Sequence, residues 1–483
     1  MAINLSRNTK VYFTTNVNQN TGVLTDATTG FTAANLIEIG VLDGYSFSQG
    51  TQQQTITISE GGNTPVRGQR SINTQVDPVD WSFSTYIRPY NNASTIAPQE
   101  RVLWNAMLGA GAVDTTGTTP TTISRANTTS PTASIVVASP ITAVVNGSTA
   151  PLAVNDVLNI GGIIAANQST WNQPGVITAV AGAGPTTYTV ELSRAPAAAA
   201  GTTATVGSGK VYVGQWATGP SGGNSALGQF SYVSTMASNK NLMQRFGLIF
   251  VVDSAVYGID NCFIDQVSVD FGLDAIATAA WSGKGTQLKQ MTASGLASAL
   301  AATATANPSS APYITNKLST MKLDSNIGGG DYAGSTAYVV AITGGNITIA
   351  NNVNYLVPAN LGVINQAIGY FPGQRSITGN VTAYLRTGET NGTGDVLKNL
   401  LANISTAIEP KFRVQLEMGG ASNATRVEFE MPGVSLQVPT VEIQDVVSTT
   451  INFNAQAFNP DTQNSQTFDL TKANELLVRF LAP

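Results

Sequence analysis

The pentapeptide Gly-Gln-Arg-Ser-Ile stands at Gly68–Ile72 and again at Gly373–Ile377, and the segments that follow the two copies come in the same order. After the first comes a segment ending Tyr86-Ile87-Arg88, then one carrying Val102-Leu103-Trp104-Asn105. After the second comes a segment ending Tyr384-Leu385-Arg386, then one carrying Val396-Leu397-Lys398-Asn399. Farther on, Arg245–Phe250 answers to Lys411–Leu416, and Val267-Ser268 to Val434-Ser435. A last apolar segment ends near Trp281 in one half and near Phe453 in the other. Five features in one order indicate an internal duplication. Its period is far longer than that of a solenoid, so each copy is a whole domain. The fold must be one that can be built twice in one chain.

Within each copy the apolar residues alternate as in half-buried strands. Trp81, Phe83 and Ile87 share one face and Ser82, Ser84 and Arg88 the other. From Val267 to Trp281, read as one long strand, Val269, Phe271, Leu273, Ala277 and Trp281 oppose Ser268, Asp270, Asp274 and Thr278. Near the end, Ile451, Phe453, Ala455 and Ala457 oppose Asn452, Asn454 and Gln456. Apolar residues at three- and four-residue spacing predict short helices over Pro98–Leu108 and Gly394–Ile404. The expected class is mainly β: two tandem sandwich or barrel domains, each with a short helix. Residues 1–111 and 229–290 form the first, 291–312 an Ala/Ser/Thr-rich linker that is partly helical, and 313–483 the second. The stretch 112–228, rich in Thr, Ala, Gly and Val, reads as an inserted small all-β domain, with strand signals at Ser134–Val137, Asp156–Ile160 and Tyr188–Leu192. A low-complexity loop is the alternative.

The residue inventory excludes most chemistry. The 483 residues include no histidine and one cysteine, Cys262, which removes the usual general base, disulfides and cysteine-based zinc sites. Only 11% are charged, with a net charge of -5, so uncharged polar residues must cover the surface. That balance argues against a protein that grips phosphates. The opening MAINLSRNTKVYF lacks a signal-peptide pattern, and no apolar run spans a bilayer, so a soluble chain made in the cytosol is expected. Trp281–Thr286 has a faint phosphate-loop look, but Gly285 follows Lys284 where Ser or Thr would be needed, and a plain turn is expected. Asp265, Asp270 and Asp274 read as a solvated acidic face rather than a metal site, and Cys262 as a small buried hydrophobe. No enzyme activity, cofactor or metal is expected.

Taken together, the strand, the loop with Gly-Gln-Arg-Ser-Ile, the next strand, the helix and two long strands resemble the tail tube (major tail) proteins of tailed bacteriophages. The opening MAINLSRNTKVYF and the stretch Asn261–Asp270 leading to Trp281-Ser282-Gly283 carry the same resemblance. It implies a β-sandwich whose strands join those of neighbouring subunits around a lumen, in stacked rings of six modules. Three chains of two modules would close such a ring; six chains, with one module inside and one outside, is the alternative. The implied partners are further copies of the chain, a tape measure protein, a tail terminator, baseplate or tail-tip proteins, and a sheath protein if the tail is contractile. Viral DNA would pass without specific binding, no membrane is involved, and the site of action would be the virion tail after assembly in the host cytoplasm.

Two sets of residues follow as expectations. The polar faces Ser268, Asp270, Asp274 and Thr278, and Ser448, Thr450, Asn452, Asn454 and Gln456, hold no positive charge and should line the lumen, the alternative being an ordinary outer wall. The polar loop from Thr51 to Arg67, including Gln53, Thr55, Thr57 and Glu60, should contact the next ring. Arg70 and Arg375 should make equivalent contacts, and the insert should decorate the outside. A β-rich adhesin-like surface protein and a polysaccharide-binding tailspike are the competing readings. The first would carry a secretion signal and the second a short-period β-helix with paired carboxylates.

Overall fold

A computed structural model describes residues 9–18, 21–32, 35–56, 70–92, 95–98, 100–108, 117–126, 132–145, 148–154, 156–161, 163, 171, 173–192, 196, 203–204, 209–213, 216–218, 227–231, 243–303, 313–325, 336–357, 367–388, 390–403, 412–420, 425–442, 446–457 and 475–481. The chain opens with β1 (Thr9–Thr14), β2 (Leu36–Ile39), β3 (Ser46–Ile56), β4 (Arg70–Tyr86), the small hairpin β5 (Pro89–Asn92) and β6 (Thr95–Pro98), and helix α1 (Arg101–Leu108). A separate run follows: β7 (Thr122–Arg125), β8 (Thr132–Val137), β9 (Thr142–Val145), β10 (Ser148–Pro151), β11 (Val157–Gly161), β12 (Pro174–Ala181), β13 (Thr186–Leu192) and β14 (Lys210–Val213). Then come β15 (Trp216–Thr218), β16 (Leu227–Ser231), β17 (Phe246–Val252), β18 (Ala255–Gly272), β19 (Thr278–Gly285), β20 (Gln287–Gln290) and α2 (Leu296–Thr303). The remainder holds β21 (Thr320–Ser325), β22 (Thr336–Val340), β23 (Ile342–Ala350), β24 (Asn354–Leu356), β25 (Gly369–Phe371), β26 (Ser376–Tyr384), α3 (Thr393–Asn403), β27 (Phe412–Gly419), β28 (Arg426–Leu436), β29 (Thr440–Glu442), β30 (Ser448–Ala455) and β31 (Leu477–Leu481).

One pairing pattern occurs twice. In the first half β3 pairs with β4, β4 with β19, and β19 with the second part of β18. In the second half β23 pairs with β26, β26 with β30, and β30 with the end of β28 and with β29. The other layer repeats likewise. There β2-β1-β17 and the first part of β18, edged by β20, correspond to β22-β21-β27 and the first part of β28, edged by β31. Even the bulges match, between Phe246 and Leu248 in one half and Phe412 and Val414 in the other. The two halves are joined by a ladder: β18 pairs with β23 from Gln266↔Ala350 to Gly272↔Gly344. One antiparallel sheet therefore runs β3-β4-β19-β18-β23-β26-β30-β29 through both halves.

These strands form because their apolar residues alternate and one face meets a common core. Trp81, Phe83, Val267, Val269, Trp281, Ile347, Ile349, Val381, Ile451 and Phe453 all belong to one buried cluster. Trp104 of α1 ties the halves together, with its ring 5.0 Å from Trp281, 6.2 Å from Phe429 and 5.8 Å from Phe480. Tyr86 and Tyr384 end β4 and β26 opposite Thr278 and Ser448, so these positions are counterparts. Counting back from them exposes a size exchange. Trp81 lies across from Gly283 in the first half, while its counterpart Gly379 lies across from Phe453 in the second. A Cβ on Gly283 would come within 2.3 Å of Trp81, and one on Gly379 within 2.3 Å of Phe453. The ring has moved to the neighbouring strand, and each pair keeps one large ring against one glycine.

Several details differ from the sequence expectations. Val267–Trp281 is not one strand but the hairpin of β18 and β19. Phe271 and Ala277 face the core on either side of the turn, so the alternation stays in phase across it, and Leu273 in the turn is exposed. The two helices are Arg101–Leu108 and Thr393–Asn403, each shifted at its start from Pro98 and Gly394. Trp281–Gly285 is strand rather than turn, with the bend only at Thr286, and Lys284 Nζ lies 2.7 Å from Asp80 Oδ1. The two pentapeptides are not counterparts in the sheet. Ile377 corresponds to Val79 and is 1% exposed, whereas Ile72 lies farther out on the β3–β4 hairpin and is 51% exposed. Arg375 is half-buried, its Nε 3.2 Å from Asn351 Oδ1, and burial lowers its pKa to about 9 against the opposing pull of Glu475. Arg70 instead pairs through its backbone with Ile56, so the expected equivalence of Arg70 and Arg375 does not hold.

The inserted stretch has its own six-stranded sheet, β14-β11-β12-β13-β8-β7, and its own core around Ile135, Trp171 and Tyr188. Strand pairing returns to the main body before residue 228, since β15 pairs with β16 and β16 with β31. In the segment read as a linker, Leu296 and Leu300 of α2 are buried against Tyr12, Ile249 and Val256.

Substituting Gly379→Ala should cost about 1–3 kcal/mol, as overpacking typically does. Phe453→Leu should recover only part of this in the double variant, because the Asn346 carbonyl lies 2.5 Å from the added Cβ. Thermal unfolding of the three variants measures it.

Candidate functional site

The side of the long sheet that faces away from this core is polar across six strands. Following hydrogen-bonded partners gives one row Tyr86, Thr278, Asp270, Asn346, Asn380 and Asn452, and the next row Ser84, Ala280, Ser268, Thr348, Thr378 and Asn454. Within the rows Asn380 Nδ2 donates to Asn346 Oδ1 at 3.2 Å and Thr348 Oγ1 to Ser268 Oγ at 3.5 Å, and Ser268 Oγ links the two rows by donating to Asp270 Oδ1 at 3.5 Å. Farther along, the Oγ atoms of Ser46 and Ser82 are 2.9 Å apart. Charge is sparse here. Lys284 faces the same way on β19 but is paired to Asp80 directly across on β4, and Asp270 is exposed.

The sheet thus brings Ser268, Asp270 and Thr278 onto one face with Thr450, Asn452 and Asn454, through two strands that had not been assigned to it. Asn346, Thr348, Thr378 and Asn380 complete the face, and their alternation with Ile347, Ile349, Ile377 and Val381 was the available signal. Ser448 starts β30 opposite Tyr384. One expected member sits elsewhere. Asp274 lies in the β18–β19 turn, 4.0 Å from Lys317, because the single strand assumed for it is a hairpin. Gln456 follows the end of β30, its N–H donating to the Gly433 carbonyl at 2.8 Å.

Two hairpins extend from one end of this sheet. The stretch read as a loop is a continuation of β3 and β4, with Thr51, Gln53 and Thr55 exposed; Thr57, Glu60 and Arg67 lie outside the described residues. Gln52 Nε2 donates to Asp77 Oδ1 at 3.0 Å and steadies the base of this arm. At the corresponding place after β23 stands the hairpin β24–β25. One of its faces is anchored by Tyr370, stacked 3.5 Å from Phe263, and by Tyr355, whose hydroxyl donates to the Asn261 carbonyl at 2.7 Å. On its outside Leu356, Ile368 and Phe371 are exposed.

Beneath the sheet, Glu100 sits at the start of α1, and Trp104 Nε1 donates to its Oε1 at 3.3 Å. Burial raises its pKa to about 7, against smaller lowering contributions from Trp104 and Arg88. Cys262 is buried, its Sγ donating to the Ile259 carbonyl at 3.4 Å, and burial raises its pKa well above the usual thiol value. Among the described residues no group of three or more Cys, Asp or Glu side chains could hold a metal ion, and no helix is long and apolar enough to cross a membrane.

An acid whose folded pKa is raised favours the folded state most when protonated. Glu100 should therefore support stability fully below its unfolded pKa near 4.5 and lose that support as pH rises through about 7. Glu100→Gln should flatten this segment of the stability-against-pH curve and stabilise the protein above pH 7, by up to about 3 kcal/mol. Denaturant titrations at several pH values measure the difference.

No family model matches the chain. Among curated proteins it is similar to the tail tube protein pb6 of Escherichia phage T5, 23% identical over 496 residues, an alignment that covers 99% of this chain and 79% of that protein. The likeness supports the tail-tube resemblance over the whole chain, inserted sheet included.

Proposed function

We propose that the chain is the structural protein of a bacteriophage tail tube, assembling into stacked rings whose lumen conducts the genome. The observation that carries this reading is the long two-half sheet with its six-strand, almost uncharged polar face. Such a face suits a wall past which DNA must slide, since each unpaired Lys or Arg would hold phosphate. The whole-length likeness to a tail tube protein points the same way.

Strand register supports closure of the sheet into a barrel. From Ser84, hydrogen-bonded partners lead across β19, β18 and β23 to Thr378 on β26, four residues before Thr382, the counterpart of Ser84. The stagger is thus four residues for four strands. A barrel whose shear equals its strand number has strands tilted by about 36°. Three chains, each bringing two four-strand units, would give about 24 strands and a backbone cylinder about 45 Å across, wide enough for a DNA duplex. One chain alone would have no lumen. Six chains with one unit inside and one outside would break the β18–β23 ladder that joins the units in one sheet.

The polar rows through Ser268, Asp270 and Asn452 would line the lumen, and the inserted sheet would stand outside. The two hairpins would meet the next ring, a polar arm with Thr51, Gln53 and Thr55 alternating with an apolar arm with Leu356, Ile368 and Phe371. The opposite end of the sheet also exposes apolar side chains, Leu273 and Ile276 in one half and Val446 in the other. A head-to-tail contact between these ends is heterologous and propagates as a filament. A tape measure protein inside, a terminator at one end, tail-tip or baseplate proteins at the other, and a sheath if the tail is contractile complete the proposed set of partners. The reading assigns no reaction to the chain.

Cryo-electron microscopy of the purified protein should show tubes or rings with threefold symmetry and pseudo-sixfold walls; isolated monomers or fibrous trimers would reject the reading. Ile368→Asp with Phe371→Asp should leave single rings but prevent stacking, seen as discs in place of tubes. Asn380→Lys with Asn452→Lys should leave tube length unchanged and slow DNA release from virions, more so at low ionic strength.

A further inference from the structure

The two ends of the long sheet are β3 and β29, and among the described residues each is paired on one side only. We propose that the junction inside the chain is reproduced between chains in a fixed register: β29 of one copy pairs antiparallel with β3 of the next, Thr440 opposite Ser48 and Glu442 opposite Ser46. This rests on the tube reading and adds to it the residues that meet.

The register follows from the repeat. Thr278 and Ser448 are counterparts, each opposite the tyrosine that ends its neighbouring strand. Asp270 pairs with Thr278 and Glu442 with Ser448, so Glu442 corresponds to Asp270. Ser268 pairs with Ala280 and Thr440 with Thr450, so Thr440 corresponds to Ser268. On the other side, Asn346 pairs with Asn380 and Ser46 with Ser82, both four residues before the reference tyrosines. Ser46 therefore corresponds to Asn346 and Ser48 to Thr348. Inside the chain Asp270 lies opposite Asn346 and Ser268 opposite Thr348. The intermolecular pairs are their images.

Side-chain burial shows the second junction awaiting its partner. Val269 lies opposite Ile347 in the internal ladder and is 0% exposed, while its counterpart Val441 is 39% exposed. Phe47, the counterpart of Ile347, would cover Val441 from the next copy. The new pairs are also chemically compatible: Thr with Ser, Glu with Ser and Val with Phe. Pairing would satisfy backbone groups on both open edges at once, and because it joins two different, complementary edges head to tail, a ring can close without any other protein.

Disulfide trapping tests this, because bridged residues need Cβ atoms about 3.5–4.5 Å apart, a distance that directly opposite residues approach within about 1 Å and diagonal ones, about 7–8 Å apart, do not. Cys262 is buried and leaves the introduced thiols as the reactive ones. In assembled protein, Ser48→Cys with Thr440→Cys should on oxidation convert most of the chain to covalent multimers on a denaturing gel, closing at the trimer. Each single variant should stay monomeric, and so should the diagonal pair Ser48→Cys with Glu442→Cys. Crosslinking of the diagonal pair instead, or native mass spectra showing closed rings with no crosslink in the first pair, would overturn the register. A wild-type protein that forms no closed assembly would overturn the tube reading itself, and the register with it.

Discussion

The seven-residue ladder between β18 and β23 is the constraint on which the rest depends. A strand buried on one face and hydrogen-bonded on both edges has one register available, because a slip of one residue would turn Val267, Val269 and Phe271 outward. By fixing β18 against β23, the ladder puts the polar faces of two separate halves in one plane and lets a single core run beneath both. Trp104, in contact with Trp281 from one half and Phe429 and Phe480 from the other, reinforces the joint with buried aromatic surface.

The two halves keep the same backbone but have diverged in how their outer layer is covered. In the first, Gly247 and Gly258 leave room for Leu24, whose methyl carbons lie 2.5 and 2.7 Å from where their Cβ atoms would be. Val17, Phe31, Leu296 and Leu300 extend that apolar cover. In the second half, matching bulges make Arg413 and Glu430 the counterparts of these glycines. They form a buried ion pair at 2.6 Å, continued by Arg479 to Glu430 at 2.7 Å and Arg426 to Glu428 at 2.7 Å. Such a network adds little net stability over an apolar filling, but losing one member would strand a buried charge. The halves are therefore no longer interchangeable.

Much of this was legible in the sequence because strand alternation and the order of elements survive divergence. The mainly β class and half of the polar face came from the alternation around Trp81/Phe83, Val267/Val269 and Ile451/Phe453, the duplication from the order of five shared features, and the inserted sheet from the strand signals at Ser134–Val137, Asp156–Ile160 and Tyr188–Leu192. What was not legible depended on geometry that period-two patterns do not carry. The even spacing of six residues from Phe271 to Ala277 kept the alternation in phase and hid a hairpin turn. The shared pentapeptide suggested counterparts that register refutes, because β4 runs farther along its arm than β26 does, leaving Ile72 on the arm and Ile377 in the core. The hairpin β24–β25 went unread because its anchor, Tyr370 on Phe263, joins residues distant in sequence.

Fusing two such units also changes what a tube can do. A ring of six identical units stacks equally well after any sixfold rotation, so neighbouring rings choose among equivalent positions. When the units differ, as the Thr- and Gln-rich arm differs from the apolar β24–β25 hairpin, only threefold rotations restore like against like. Placing a polar arm where Phe371 should dock would leave an apolar side chain facing polar groups, and repeating that mismatch around the ring multiplies its cost. In a tube made from this chain, divergence between the halves would therefore restrict stacking to threefold rotations, where a ring of identical units would accept all six.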